Sequence, residues 1–515
     1  GPIKLPGVNS GKNKAFFFFN WEPYRLNGGA QRPTLTIPTL KERAGDFTDN
    51  LDPDTGNLIP IYDPRTGQQF SCNGVLNVIC PNLEDPIAQA WLAQLPAPTS
   101  PGTSNNYLVP HAVPNSLYTG SDAYLFRIDD NWGDFDRFSF SFYRRYNNSN
   151  LASALPTPIS SAQGQPGHSG VYRFNWEHAF SVKTTNHFTL GYLDLYEDIV
   201  SADTFSKVKM PTVPGVANTT SYLPTFNFGS LQLGEPSGPP GHNISTRPTY
   251  AINDILSRVL GSHTLVAGLE WRSPQGNAKS GVNQGGTFGF GGVTGLKGTP
   301  SGNGNADFFI GAASSASVSY YNVPAIYIRQ TGWAVHFGDT WRTTPKLTLA
   351  YGLRWDMETP TREKYNHASF FDPTLPNPDA GGLPGALAFA SSSRPYPEKV
   401  DYAGVAPRLG FAYAVRPNMV VRAGYGIFFG QAFYPNWNGG NSLDGYNVNS
   451  AISSPGYNGT GQAVPAMCLT PGNAFCVAAG VPKNGYPTPP SLAPSLTPGF
   501  DNGLAPLYRP FNANK

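Results

Sequence analysis

At 515 residues the chain is long enough for several ordinary domains or one large one, and 35 basic against 33 acidic residues, a formal net charge of +2, imply no polyanion-binding surface. Gly 57 and Pro 50 exceed a fifth of the chain while charged residues are only 13% and aromatics 13%, which suits twisted strands joined by irregular loops, suits helices badly, and argues against intrinsic disorder. No run of about eighteen apolar residues occurs, which excludes a transmembrane helix, whereas a mean hydropathy of -0.30 leaves a membrane barrel open, because only alternate residues of a barrel strand meet lipid.

The chain opens Gly1-Pro2-Ile3-Lys4 without an initiator Met, so a targeting segment is expected upstream. A first strand is predicted near 15–24. The long stretch 25–121 that follows carries Cys72 and Cys80 and one predicted helix, with Asp85 as cap, Pro86 at its first position, and Ile87, Trp91, Leu92 and Leu95 as its apolar stripe. Hairpins are then predicted at 123–131 with 134–144, 171–181 with 185–197, 249–259 with 263–273, 326–341 with 346–357, and 405–415 with 419–429. Lys346 to Asp356 shows the pattern best: Leu347, Leu349, Tyr351, Leu353 and Trp355 share one face, and Lys346, Thr348, Ala350, Gly352, Arg354 and Asp356 the other. Period two over eleven residues is a strand long enough to cross a bilayer when tilted. Elsewhere the polar faces hold Arg137, Ser139, His187, Thr189, Glu270, His336, Arg408 and Arg422, residues that a watery lumen tolerates.

A soluble sandwich also alternates, so the connections decide. Turns at 132–133, 182–184, 261–262, 343–345 and 416–417 alternate strictly with long stretches at 25–121, 145–170, 198–248, 274–325, 358–404 and 430–515. Short periplasmic turns and long extracellular loops give a barrel that rhythm, and loops of such length count against a compact soluble domain. Trp132 and Trp341 sit beside short turns, and Trp21, Trp271 and Trp355 at the opposite strand ends, as in two interfacial aromatic girdles. The predicted fold class is all-β, an antiparallel transmembrane β-barrel with long extracellular loops, of which these residues supply about eleven strands.

Cys72 with Cys80 and Cys468 with Cys476 have identical spacing within loop-like sequence, without the short pairs and nearby histidines of a zinc site. Two local disulfides in an oxidising compartment are the expected reading, with free thiols as the alternative. Other motifs point to no chemistry. Asp52-Pro53-Asp54-Thr55-Gly56-Asn57 lacks a full calcium ligand set and reads as a turn. Gly289-Phe290-Gly291-Gly292 has no GK[ST] and reads as a flexible loop or strand-edge glycine cluster. Gly167-His168-Ser169-Gly170 misses the nucleophile-elbow spacing, and Glu177-His178 lacks a second zincin histidine. Arg144-Arg145 reads as a solvated strand-end pair, with anion attraction into the mouth as the alternative. No catalytic residue, metal ligand or cofactor is expected, and no ligand-binding residue can be named.

Several segments together resemble one family. Lys12-Asn13-Lys14-Ala15-Phe16-Phe17-Phe18-Phe19-Asn20-Trp21-Glu22 and Glu42-Arg43-Ala44-Gly45-Asp46-Phe47 are similar to segments of Oar-like TonB-dependent receptors. The hairpin Trp341 to Arg354 (WRTTPKLTLAYGLR), then Pro384-Gly385-Ala386-Leu387, Ala406 to Tyr413 (APRLGFAY) and Arg422 to Phe429 (RAGYGIFF), follow in the family's order. The resemblance implies an outer-membrane barrel of the 22-stranded class, plugged by an N-terminal domain, that moves a bulky ligand with energy delivered through TonB. It also implies a carboxypeptidase-regulatory-like domain before the plug. Energy coupling rests on the resemblance alone.

Two functions follow as expectations: active transport of a bulky ligand across the outer membrane, or a surface-interaction or secretion-support barrel displaying adhesive loops. Outer-membrane lipid is the expected surrounding, the TonB complex an expected partner, and nucleic acid is not. With about half of a 22-stranded wall present, the strands near Phe17 and Tyr425 are expected to lack a neighbour on one side.

Overall fold

The structure is a computed structural model that describes residues 1–3, 15–26, 30–114, 118–149, 163–201, 210–216, 222–234, 242–281, 283–430 and 441–476, with short pieces at 153–156, 159 and between 481 and 496. Its main sheet is an antiparallel meander of eleven long strands taken in sequence order. These are Ala15–Arg25, Tyr118–Trp132, Asp136–Ser149, Gly167–Ser181, Thr184–Ser201, the pair His242–Thr246 and Thr249–Leu260, His263–Lys279, the pair Ala325–Arg329 and Gly332–Arg342, Leu347–Glu358, Asp401–Arg416 and Met419–Gly426. The two interrupted strands keep one register across their breaks: Gln275 pairs with Arg329 and Arg272 with Gly332, so side-chain parity is preserved. Because the short turns fall at every second step of this meander, all five lie at one end of the sheet and all the long connections at the other.

The register sorts the side chains into two faces. Leu269, Val335, Trp355 and Val405 form one cross-strand row, and Ala267, Phe337, Leu353 and Pro407 the next. Their neighbours Glu270, Ala334, Asp356 and Gly404 stand on the other face. The apolar face is uncovered by protein: Val335, Phe337 and Leu353 are 47%, 52% and 51% exposed. An apolar sheet face of this extent in water would be a severe liability; in a bilayer it is the contact surface. Trp271 and Trp333 lie side by side at the long-loop end, ring centroids 6.1 Å apart, and Trp341 closes the turn end against His263 at 5.2 Å. Trp333 and Trp341 are eight residues apart on one strand, about 26 Å along its axis, which matches a tilted crossing of the hydrocarbon.

Four expectations change. The long loops were read as irregular, yet they fold together into a cap holding the molecule's buried core, to which no wall strand contributes. Alternating Phe226 and Phe228, Leu231 and Leu233, Phe288 and Phe290, and Ala316, Val318 and Tyr320 are buried, because a five-stranded sheet packs one face inward. Its order is Leu231–Gly234, Thr225–Phe228, Thr287–Phe290, Ser315–Tyr320, Val448–Ser453, and Thr225–Phe228 runs parallel to Thr287–Phe290. Gly289 and Phe290 therefore belong to an inner strand of this sheet, and only Gly291 and Gly292 lie beyond it.

Secondly, several wall strands outrun the bilayer, extending into segments read as loop; Gly167–Ser181 and His263–Lys279 each rise well above the tryptophan row. Thirdly, Ala15–Arg25 is not bare on its outer edge: Pro2 bridges Phe16, and the amide nitrogens of Ile3 and Phe17 donate to the carbonyls of Ala15 and Gly1. Among the described residues Met419–Gly426 pairs only with Asp401–Arg416, and no described pairing joins it to Ala15–Arg25. Fourthly, Arg144 is no solvated strand-end residue: it donates to Asp194 at 2.6 Å and covers the Tyr146 ring, while Arg145, one residue on, takes the opposite face.

Candidate functional site

On the inward face of the wall, strand register brings together charges far apart in sequence. The Arg354 guanidinium donates two parallel bonds to Glu270, at 2.8 and 2.9 Å, and a third from Nε to Asp356 at 2.9 Å. Two residues further up each strand, on the same face, Arg272 pairs with Glu358. A forked guanidinium fits a carboxylate in this two-bond geometry, which fixes its direction as well as its charge. These groups, with Asn253, line a cavity of about 290 Å³ open to the inner side. Below it Gly268 supports His336: a Cβ on Gly268 would lie 2.1 Å from His336 Cε1, so the imidazole rests where only glycine leaves room. His336 Nδ1 is buried with no hydrogen-bond partner among the described residues. Small inward residues continue the surface at Gly338, Gly352, Gly410 and Gly424, leaving the lumen side of the wall shallow.

Above the wall, the cap is knitted from several loops around two buried carboxylates. Asp85 caps the helix Pro86–Leu92 through the Ile87 amide and also accepts from the Thr470 hydroxyl (2.9 Å) and the Asn473 side chain (3.0 Å). Burial raises its pKa against those hydrogen bonds. Asp307, fully enclosed in the helix Gly304–Phe309, accepts from the amides of Val293 (2.9 Å) and Thr294 (2.7 Å) and is pushed by burial up to about 6. Phe228 stacks on Phe308 at 4.3 Å, and Trp91 packs edge-on against Phe226 at 5.1 Å while its indole N–H donates to the Pro211 carbonyl. The segment Glu42-Arg43-Ala44-Gly45-Asp46-Phe47 has a structural purpose here. Arg43 donates to the carbonyls of Pro38, Leu95 and Pro96, Gly45 turns at φ +83 beside the Ile79 carbonyl, and Phe47 is sunk in the core.

Cys72 is bonded to Cys80 and Cys468 to Cys476, with Cα separations of 5.2 and 6.0 Å. The second pair is buried in the cap core and the first lies near its surface. Asp52 accepts from the amides of Asp54 and Thr55, which makes 52–57 a turn. Glu177 and His178 point to opposite faces, toward His187 and Asp136 respectively. Gly167 to Gly170 lie within a wall strand. Alternation alone had put Glu270, His336, Arg354 and Asp356 on the polar face; Arg272 and Glu358 were not singled out, and the Arg354–Glu270 contact was beyond reach, since it depends on which strands adjoin across 84 residues.

A family model described as an outer membrane beta barrel domain matches residues 1–509 of this sequence. The chain belongs to that family. This barrel domain therefore lies in the outer membrane, its apolar face toward lipid, its short turns toward the periplasm and its loop cap on the extracellular side. No curated protein matches it in sequence. Among solved structures, the barrel domain is similar to the outer membrane transporter YddB from Escherichia coli, at 10% identity and a TM-score of 0.32, covering 60% of this chain and 39% of that one. It is also similar to the ferric-catecholate import receptor Fiu from E. coli K12, at 12% identity and a TM-score of 0.32, covering 67% and 53%. The barrel domain thus spans about two-fifths and about half the length of these two proteins.

Proposed function

We propose that this barrel domain is part of the wall of a TonB-dependent receptor of the Oar-like kind, which binds a bulky ligand at its loop cap and passes it inward without making or breaking a covalent bond. The observation that carries the reading is the inner face around Arg354. Its charges are held in fixed pairs, a cavity opens between them, and the His336 Nδ1 atom is left without a partner. A wall whose only task is to anchor surface loops has no use for fixed charge pairs around an inward cavity, whereas one that seats a separate polar body, such as a plug, does. Eleven strands would make half of a 22-stranded wall, wide enough to need such a plug. The test uses the natural full-length protein in its own cells. Uptake of labelled ferric siderophores, cobalamin, oligosaccharides and oligopeptides is compared with and without the gene, and with and without a protonophore. At least one probe is expected to lose ten-fold or more of its uptake in both arms. Unchanged uptake across the set, together with no binding of the purified protein to the periplasmic domain of TonB, overturns the proposal.

A further inference from the structure

The outward face of the wall carries an unneutralised basic patch just above the extracellular tryptophans. Continuous register places Arg329 on the same face as Trp333, four residues further up the strand, about 13 Å toward the outside. The short strand Arg362–Glu363 is added beside it, and there Arg362 pairs directly with Arg329. The Lys364 amide donates to the Tyr327 carbonyl in the next position, so Lys364 continues the same row. Arg362 and Lys364 are exposed while Glu363 between them is buried, as alternation requires. Lys279, in the strand on the other side, stands at the patch's upper edge.

Two arginines directly opposite each other on one sheet face repel, an arrangement that destabilises a sheet unless an anion sits between them. The described residues supply none. Arg329, Arg362 and Lys364 form no ion pair among the described residues. The nearest carboxylate, Glu363, is turned beneath the sheet and saturated by the amides of Tyr327, Tyr365 and His367 at 3.1, 2.7 and 2.8 Å. On the outward face of the strand Thr184–Ser201, further off, Asp194 is held by Arg144, and buried Asp198 accepts the Tyr196 hydroxyl. The patch is also built to hold its shape. Asn277 Oδ1 receives Arg329 Nη1 at 2.7 Å, and the Lys364 ammonium lies 4.8 Å over the Tyr365 ring, itself packed on Tyr327.

We propose that this patch binds the phosphate groups of a phosphorylated glycolipid of the outer leaflet. A girdle tryptophan marks where hydrocarbon ends, so groups about 13 Å beyond it lie at headgroup depth. Guanidinium pairs take phosphate in forked geometry, and flanking tyrosines suit a sugar ring. The occupant is a lipid of the surrounding leaflet, so the inference rests on membrane location and stands apart from transport.

The natural full-length protein is purified from outer membranes in detergent, and its retained lipid is measured by native mass spectrometry. It is then delipidated and offered diphosphorylated lipid A, enzymatically dephosphorylated lipid A, or phosphatidylglycerol. The intact protein is expected to retain diphosphorylated lipid A at least ten-fold more than R329Q/R362Q/K364Q, and to prefer it over both other lipids. R329K/R362K, which keeps the charge and loses the fork, is expected to retain less than the intact protein and more than the triple variant, and a heat-modifiability gel reports that each variant is a folded barrel. Equal retention by the folded triple variant, or of the dephosphorylated lipid, overturns the proposal, as does an equal preference for phosphatidylglycerol.

Discussion

The Asp85 carboxylate accepts a hydrogen bond from the Asn473 side chain at 3.0 Å, across 388 residues of chain. The same carboxylate caps a helix of the first long loop and takes the Thr470 hydroxyl of the last, so a single side chain ties the beginning of the cap to its end. Asp85→Ala removes a helix cap and strands two polar partners. The cap is expected to lose about 2–3 kcal/mol of stability. Hydrogen exchange should quicken in both loops while the wall's heat-modifiability stays unchanged; protection lost in the first loop alone would argue against the tie.

Asp307 gives the cap a pH dependence. Its folded pKa of about 6 stands above the ordinary 3.8, so folding favours the neutral acid. The cap therefore gains stability as pH falls through about 6 toward 4, by up to about 3 kcal/mol, and loses it as pH rises back from about 4 through 6. Asp372 works in another window. Burial pushes its pKa up, but Thr374 and Arg394 outweigh that and hold it at about 2, so its contribution is present above about 4 and is lost only below. Asp307→Asn should abolish the gain between pH 6 and 4, as read by denaturant-dependent proteolysis of the loops; an unchanged slope would refute it.

The two disulfides should differ in reactivity. Cys468 and Cys476 are buried in the cap core, whereas Cys72 and Cys80 are within reach of solvent. Mild reductant should open the Cys72–Cys80 bond first, as mass mapping of alkylated peptides would record. Loss of either bond relaxes a loop with a sequence separation of 8, worth about 2–3 kcal/mol on a loop-closure model. The buried pair should cost the cap more, because its removal also disturbs packing.

Phe337 and Thr340 test the two faces of one strand. Phe337 points outward between the two tryptophans, and Thr340 inward. Phe337→Arg should destabilise the folded barrel in lipid by about 2–4 kcal/mol, and Thr340→Arg by less than about 1 kcal/mol, measured by reversible unfolding in bilayers. Equal costs would mean the faces are misassigned.

The wall was legible because membrane crossing imposes a strict period and a strict alternation of turn and loop, both of which survive in sequence from Lys346 to Asp356 and in turns such as Gly261-Ser262. The helix from Pro86 was legible through Asp85 and its apolar stripe. The cap was not. Its strands are short, such as Thr225–Phe228, and their partners lie in other loops, so no local signal marks them. The four-residue helix Leu40–Arg43 hides in a capping box of Thr39 and Glu42 that a longer apolar run would have advertised. Arg354 and Glu270 could each be assigned to the inner face by parity; that they touch is a fact of strand adjacency.

The parallel contact of Thr225–Phe228 with Thr287–Phe290 constrains the order of assembly. Between them in the chain lie Thr249–Leu260 and His263–Lys279, which descend through the bilayer and return. The third partner, Val448–Ser453, follows four more wall strands. The cap sheet can close only after each of these passes has been completed and every loop delivered to the same side. A mature cap is thus a record of correct threading, and a single hairpin inserted upside down would leave Phe228, Phe288 and Val318 without a core to enter.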